Sequence, residues 1–224
     1  MAAGIGTILT YAVGVAISPM SIIAVILMLF SARARVNGLM LLGGWLVALT
    51  VLFALAYGLA DAADAATDTT ASETVSWGKV GVGVVLLLLA ARQWRSRPAP
   101  GDAPVMPKWM AGIDSFSPGK AFALGLIAVA APKNLLLTLS AGTALAQVGV
   151  STSEAVVSLI VFLIVASTTI AGPVLYQRVG GGRAKSTLDA LKDWLTAHNA
   201  AVMTVLLLVI GAKLIGDGLP GLGG

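Results

Sequence analysis

The chain has no cysteine and a single histidine, His198. Disulfides, thiolate metal sites and thiol redox relays are therefore excluded, and no histidine cluster exists to hold a metal or haem. Charge is also scarce: 11% of residues are charged against 58% hydrophobic, with a mean hydropathy of +0.94. That balance describes an integral membrane protein rather than a soluble domain. None of the 10 acids falls inside a long apolar run. With no paired carboxylates, no Ser-His-Asp set and no metal cluster, the chain is expected not to be an enzyme and to need no cofactor.

What is present is apolar sequence in spans. The runs predict an all-α integral membrane protein of six transmembrane helices, at about 5–30, 38–60, 77–91, 119–147, 153–177 and 200–216. Asn37 reads as the N-cap of the second span, Ser117-Pro118 as cap and first residue of the fourth, and Ser153 with Glu154 as the start of the fifth. An acidic stretch with Asp61, Asp64, Asp68 and Glu73 joins the second and third spans. Residues 98–118 form a proline-rich linker, in which Trp109, Met110, Ile113 and Phe116 read either as a short helix in the headgroup layer or as a loose loop. Between the last two spans, Leu188, Leu191, Trp194 and Leu195 fall at helical spacing among Lys185, Asp189, Lys192 and Asp193. That pattern predicts an amphipathic interfacial helix over about 184–197.

Basic residues orient the spans. Arg33 and Arg35 fall in the first loop, Arg92, Arg95, Arg97, Lys108 and Lys120 in the third, and Arg178, Arg183, Lys185 and Lys192 in the fifth. By the positive-inside rule these loops are cytoplasmic, the 98–118 linker included, and both termini are extracytoplasmic.

Two apolar runs carry polar interruptions. Ser18-Pro19-Met20-Ser21 breaks the first, and Pro132-Lys133-Asn134 breaks the fourth. Each proline removes a backbone donor and disturbs the turn before it. A lysine deep in a bilayer costs about 2.5–3.5 kcal/mol on insertion scales, so Lys133 reads first as a working residue facing the bundle interior. The plainer reading is a lysine that snorkels to the interface along its stem. The two prolines sit at corresponding places in two three-helix halves, 1–97 and 119–224. Three being odd, the halves enter the membrane in opposite senses, the plan of inverted-repeat transporters whose broken helices meet near the midplane.

Ser18, Pro19, Ser21, Pro132, Lys133 and Asn134 are therefore the candidate substrate-binding or gating residues, with Thr138, Ser167, Thr168 and Thr169 as candidate path-lining residues. The last three could equally bond within their own helix near Pro173. The one charge at mid-depth is positive, so an anionic or zwitterionic solute or lipid fits better than a cation. Lys133 would serve as its counter-ion, and protons are a further expected partner if the amine carries one in alternate cycles. Gly78, Gly81 and Gly83 read as sites of close helix contact, and the five tryptophans as interface anchors or packing residues. Lys213 reads as a snorkelling residue and His198 as a cap or headgroup contact.

The runs SPMSIIAVILMLFSARARVNGLMLLGGW, PKWMAGIDSFSPGKAFALGLIAVAAPKNLLLTLSAG and NAAVMTVLLLVIGAKLIGDGL resemble the peptidoglycolipid-addressing, or sulfolipid-addressing, family of the lysine exporter superfamily. The family's usual Asn-Pro-Lys-Asn becomes Ala131-Pro132-Lys133-Asn134 here. The resemblance implies an actinobacterial plasma-membrane protein linked to export of cell-envelope glycolipids. The expected function is thus a transporter that exports or flips such a lipid by alternating access. The alternatives are an exporter of a small polar solute such as an amino acid, and an accessory protein of a lipid-export machine.

Overall fold

The structure, a computed structural model, describes residues 2–31, 33–66, 71–97, 112–113 and 115–222. Among these residues eight α-helices follow in order: α1 (Ala2–Ala16), α2 (Pro19–Leu29), α3 (Ala34–Ala66), α4 (Ala71–Arg95), α5 (Pro118–Ala130), α6 (Pro132–Ala146), α7 (Thr152–Val179) and α8 (Gly181–Gly218). A short 3-10 turn, Leu219–Leu222, closes the chain, and no strand occurs among the described residues.

The expected interruptions are real bends. The α1–α2 pair turns by 56° and the α5–α6 pair by 70°. The cause is local: a residue before proline is pushed out of the helical region, and Ser18 (φ −128°, ψ 84°) and Ala131 (φ −56°, ψ 138°) both leave it. Among the described residues three helices, 34–62, 152–179 and 183–218, are long and apolar enough to cross a membrane, and up to five spans result if each bent pair counts as one. Against the six expected, α4 stands outside this set. Large apolar side chains point outward all around the bundle, among them Leu59 at 73% exposure, Ile127 at 65% and Ile164 at 63%. In water such a surface would be costly, and in lipid it is the ordinary solution.

Several boundaries differ from the sequence reading. The second span starts earlier, so Asn37 lies in the first turn of α3 and caps nothing. It is fully buried and its Nδ2 donates to Phe116 O at 2.8 Å, tying α3 to the entrance of α5. The acidic segment is partly helix, because α3 continues to Ala66 through alanine-rich sequence and α4 opens at Ala71. Ser151, not Ser153, caps α7, in a capping box with Glu154. Ser117 does cap α5, accepting from Lys120 N at 3.4 Å with Pro118 next. The amphipathic segment is continuous with the last span in α8; it turns Ala184, Leu188 and Leu195 inward, and its Lys192 pairs with Asp189 at 2.9 Å. In the linker Ile113 is buried and accepts from Phe116 N at 3.0 Å, while Lys108, Trp109 and Met110 lie outside the described residues.

The helices pack by exchange between halves. α3 lies against α5 and α6, α7 lies against α1 and α2, and α4 runs along α8. Small residues let the backbones close up. A Cβ on Gly125 would stand 2.2 Å from Leu41 O, and one on Gly44 2.1 Å from Phe122 O. Gly83 and Gly211 likewise face each other's carbonyls, at 2.8 and 2.9 Å. Of the three glycines expected at close contacts, Gly83 is at one; Gly78 and Gly81 border open space. Trp45, fully buried, and Phe53 against Phe162, with ring centroids 5.0 Å apart, fill the centre. Trp77 and Trp194 are exposed, as is Trp94 under the Arg97 guanidinium.

This packing predicts a sharp contrast. Gly125→Ala should lower stability in detergent by about 2–3 kcal/mol, because the new methyl meets backbone that cannot yield cheaply, while Gly81→Ala should be neutral or slightly stabilising. Thermal unfolding of the purified variants measures both, and equal midpoints would refute the close α3–α5 contact.

Candidate functional site at the paired helix breaks

A broken helix in hydrocarbon leaves carbonyls without donors, and each such group costs several kcal/mol if nothing satisfies it. At the end of α1, Pro19 has no N–H to offer Val15 O. Ser18 N, which would have bonded Gly14 O, turns to Ala16 O at 2.9 Å instead. The carbonyls of Gly14, Ala16 and Ile17 then take donors from the other half of the chain.

Lys133 supplies two of these donations. Its Nζ donates to Gly14 O at 2.6 Å and to Ile17 O at 2.8 Å, with the residue only 6% exposed. The ammonium thus sits at the carboxyl end of α1, where the helix dipole presents roughly half a negative charge. Thr169, on α7, donates its hydroxyl to Ala16 O. The neighbouring break is closed in the same manner. Pro132 cannot bond Ala128 O, and the Asn134 side chain does so at 2.9 Å through Nδ2. That same Nδ2 reaches Ser18 Oγ at 3.5 Å, and Ser18 Oγ is 3.0 Å from Ser21 Oγ.

Six candidates from the sequence, Ser18, Pro19, Ser21, Pro132, Lys133 and Asn134, therefore meet at one place, and Thr169 joins them. The snorkelling alternative for Lys133 does not describe this geometry, since its amine points into the other half. Thr168 is exposed and returns its hydroxyl to Val165 O, so it faces away. Thr138, one turn beyond Asn134 on the same face of α6, is fully buried, and Ser167 is nearly so. Neither hydroxyl, nor Asn134 Oδ1, has a hydrogen-bond partner among the described residues. Buried polar atoms of that kind are uncommon, and others lie away from the breaks, at Asn37 Oδ1, Trp45 Nε1, Ser158 Oγ and Asn199 Oδ1. Ala131 leaves α6 without a side-chain N-cap. Two other residues read from sequence lie elsewhere: Lys213 pairs with Asp217, and His198 stacks on Trp194 with centroids 4.8 Å apart.

The acceptors of this site escaped the sequence reading. They are backbone carbonyls, and only their donors have a residue signature.

Beside the breaks runs an apolar groove of about 520 Å³ between α2 and α5. Ser18 and Ser21 line it at the bend, Ala24, Ala123, Leu124 and Ile127 along its walls, and Lys120 with Phe116 at its other end. A family model described as Sap, sulfolipid-1-addressing protein, matches residues 8–220. The chain belongs to the sulfolipid-1-addressing protein family. No curated protein and no solved structure matches it. For this family member, the match and the outward-facing apolar helices together describe a multi-pass membrane protein linked to lipid export.

If the Lys133 ammonium caps α1, Lys133→Met strands Gly14 O and Ile17 O and should cost about 2–3 kcal/mol, seen as a lower unfolding midpoint in detergent. Asn134→Leu strands the single carbonyl of Ala128 and should cost about 1 kcal/mol. A Lys133→Met protein that melts with the wild type would refute the capping role.

Proposed function

We propose that this protein exports or flips an anionic or zwitterionic glycolipid of the cell envelope by alternating access around the paired breaks. In this reading the chain crosses the plasma membrane six times as two inverted three-helix repeats, with the basic loops cytoplasmic. Part of the packing supports the repeat: swapping halves maps α3 on α5 and α6 onto α7 on α1 and α2, and returns the α4–α8 pair to itself, while α1 on α6 and α2 on α8 lack comparable counterparts.

The observation that carries the proposal is the groove. Along α5, Lys120 and Ala131 are about 16 Å apart at 1.5 Å per residue, about half the hydrocarbon thickness. Its walls are apolar, its outer end carries a cation, and its inner end is the Ser18–Ser21 pair beside the breaks. A single acyl chain fits such a slot, whereas a small polar solute would find no partners along it. When the lipid head reaches the bend, its oxygens can take over the Lys133 donors from the α1 carbonyls. The released helix end then supplies the freedom to change the 56° bend.

One observation favours the accessory reading. Lys133 already has two carbonyl acceptors, so it can be a structural cap in a protein that moves nothing itself.

Reconstitution separates the two. Proteoliposomes holding the wild type should flip a fluorescent lipid with a sulfated sugar head. Ala123→Trp, an exposed wall position, should fill the groove and slow flipping at least about tenfold, equivalent to 1.4 kcal/mol or more, with the melting midpoint kept. Flipping no faster than in empty vesicles would reject the transporter reading and leave the accessory one.

A further inference from the structure

A second cavity, of about 1060 Å³, lies at the basic end of the bundle, away from the breaks. Two connections build it, one from each half. The α2–α3 turn contributes Phe30, Arg33 and Arg35, and the end of α7 with the start of α8 contributes Gln177, Arg178 and Lys185. Four of its lining residues are cations and none is an acid. All four are exposed side chains. Among the described residues none of these four has a carboxylate partner. Lys185 lies 5.8 Å from the Phe30 ring centre, and Gln177 donates its side-chain amide to Leu29 O, which holds the floor.

Positive-inside bias accounts for basic residues at this end of the molecule, but not for four of them turned into one cavity. Like charges repel, and an anion held among them relieves that repulsion. Guanidinium forks match the planar oxygen edges of phosphate and sulfate, and a lysine adds a point charge. We infer that this cavity is an oxyanion site that takes a phosphate or sulfate group, presented either by a lipid head at the membrane surface or by a soluble anion. The volume admits a substituted head as well as the bare ion. The site stands on its own residues and does not depend on the lipid-moving reading, so loss of flipping leaves it untouched.

Binding to the full-length protein in neutral detergent tests it at fixed ionic strength. The probes are dihexanoyl phosphatidic acid, dihexanoylglycerol, which lacks the phosphate, and inorganic phosphate. The pocket variant Arg33→Gln/Arg178→Gln is compared with Arg92→Gln/Arg95→Gln, which removes the same charge from the end of α4. Phosphatidic acid should bind saturably to the wild type and about twentyfold more weakly to the pocket variant, the effect of two cations near a headgroup. The α4 variant should bind as the wild type does. Inorganic phosphate binding as tightly as the lipid would uphold the oxyanion site and assign it to a soluble ligand. Equal weakening by both variants, or equally tight dihexanoylglycerol, would overturn it.

Discussion

The structure turns on one contact across the two halves: the Lys133 ammonium against the open carboxyl end of α1. Proline makes the bend and thereby exposes carbonyls in the one environment that has no water to satisfy them. A neutral donor would answer the hydrogen-bonding need, as Asn134 does for Ala128 O. A charged donor does more, because the helix end offers only about half a negative charge to a full positive one. No carboxylate among the described residues pairs with Lys133, whose partners are the two carbonyls. With the amine protonated, a residual positive field is left at the bend. A cap built for stability alone could have used asparagine twice.

Packing then links the bends to each other. α7, in the second half, holds the first bend through Thr169 and Ala16 O, while α3, in the first half, is locked to α5 and α6 at glycine contacts too close for any side chain. Neither bend can change its angle without moving a helix of the opposite half. In the proposed cycle such interlocking would make the two bends move together, as access from one side at a time requires.

How far the sequence reached follows from what each feature leaves in it. Apolar composition, the Pro19 and Pro132 breaks and the polar residues around them are side-chain properties, and the structure gathers those residues as expected. Ser117-Pro118 was legible because a cap and a following proline form a local signal. Asn37 misled because the same residue that caps helices can also donate across an interface, and only the partner, Phe116 O, decides which. Gly78 and Gly81 misled because smallness permits contact without causing it. The carbonyls of Gly14, Ala16 and Ile17 were out of reach, since every residue carries a carbonyl and its availability depends on a bend. The cavity between Arg33, Arg35, Arg178 and Lys185 needed three-dimensional proximity of segments far apart in the chain.

The positive charges also differ in kind along the molecule, and the difference bears on direction. At the basic end they are exposed and grouped, so that several can hold one anion but salt and water weaken each contact. At the mouth of the groove Lys120 stands exposed. At the bend Lys133 is buried, strong by location yet already shared with two carbonyls. On the proposed route an anionic head therefore meets an attraction at each stage that is never fully its own. Tight binding at any one stage would trap it, because transport needs every site to be left as well as reached. A lysine that its own protein can reclaim with Gly14 O and Ile17 O is the component that makes release from the deepest stage favourable.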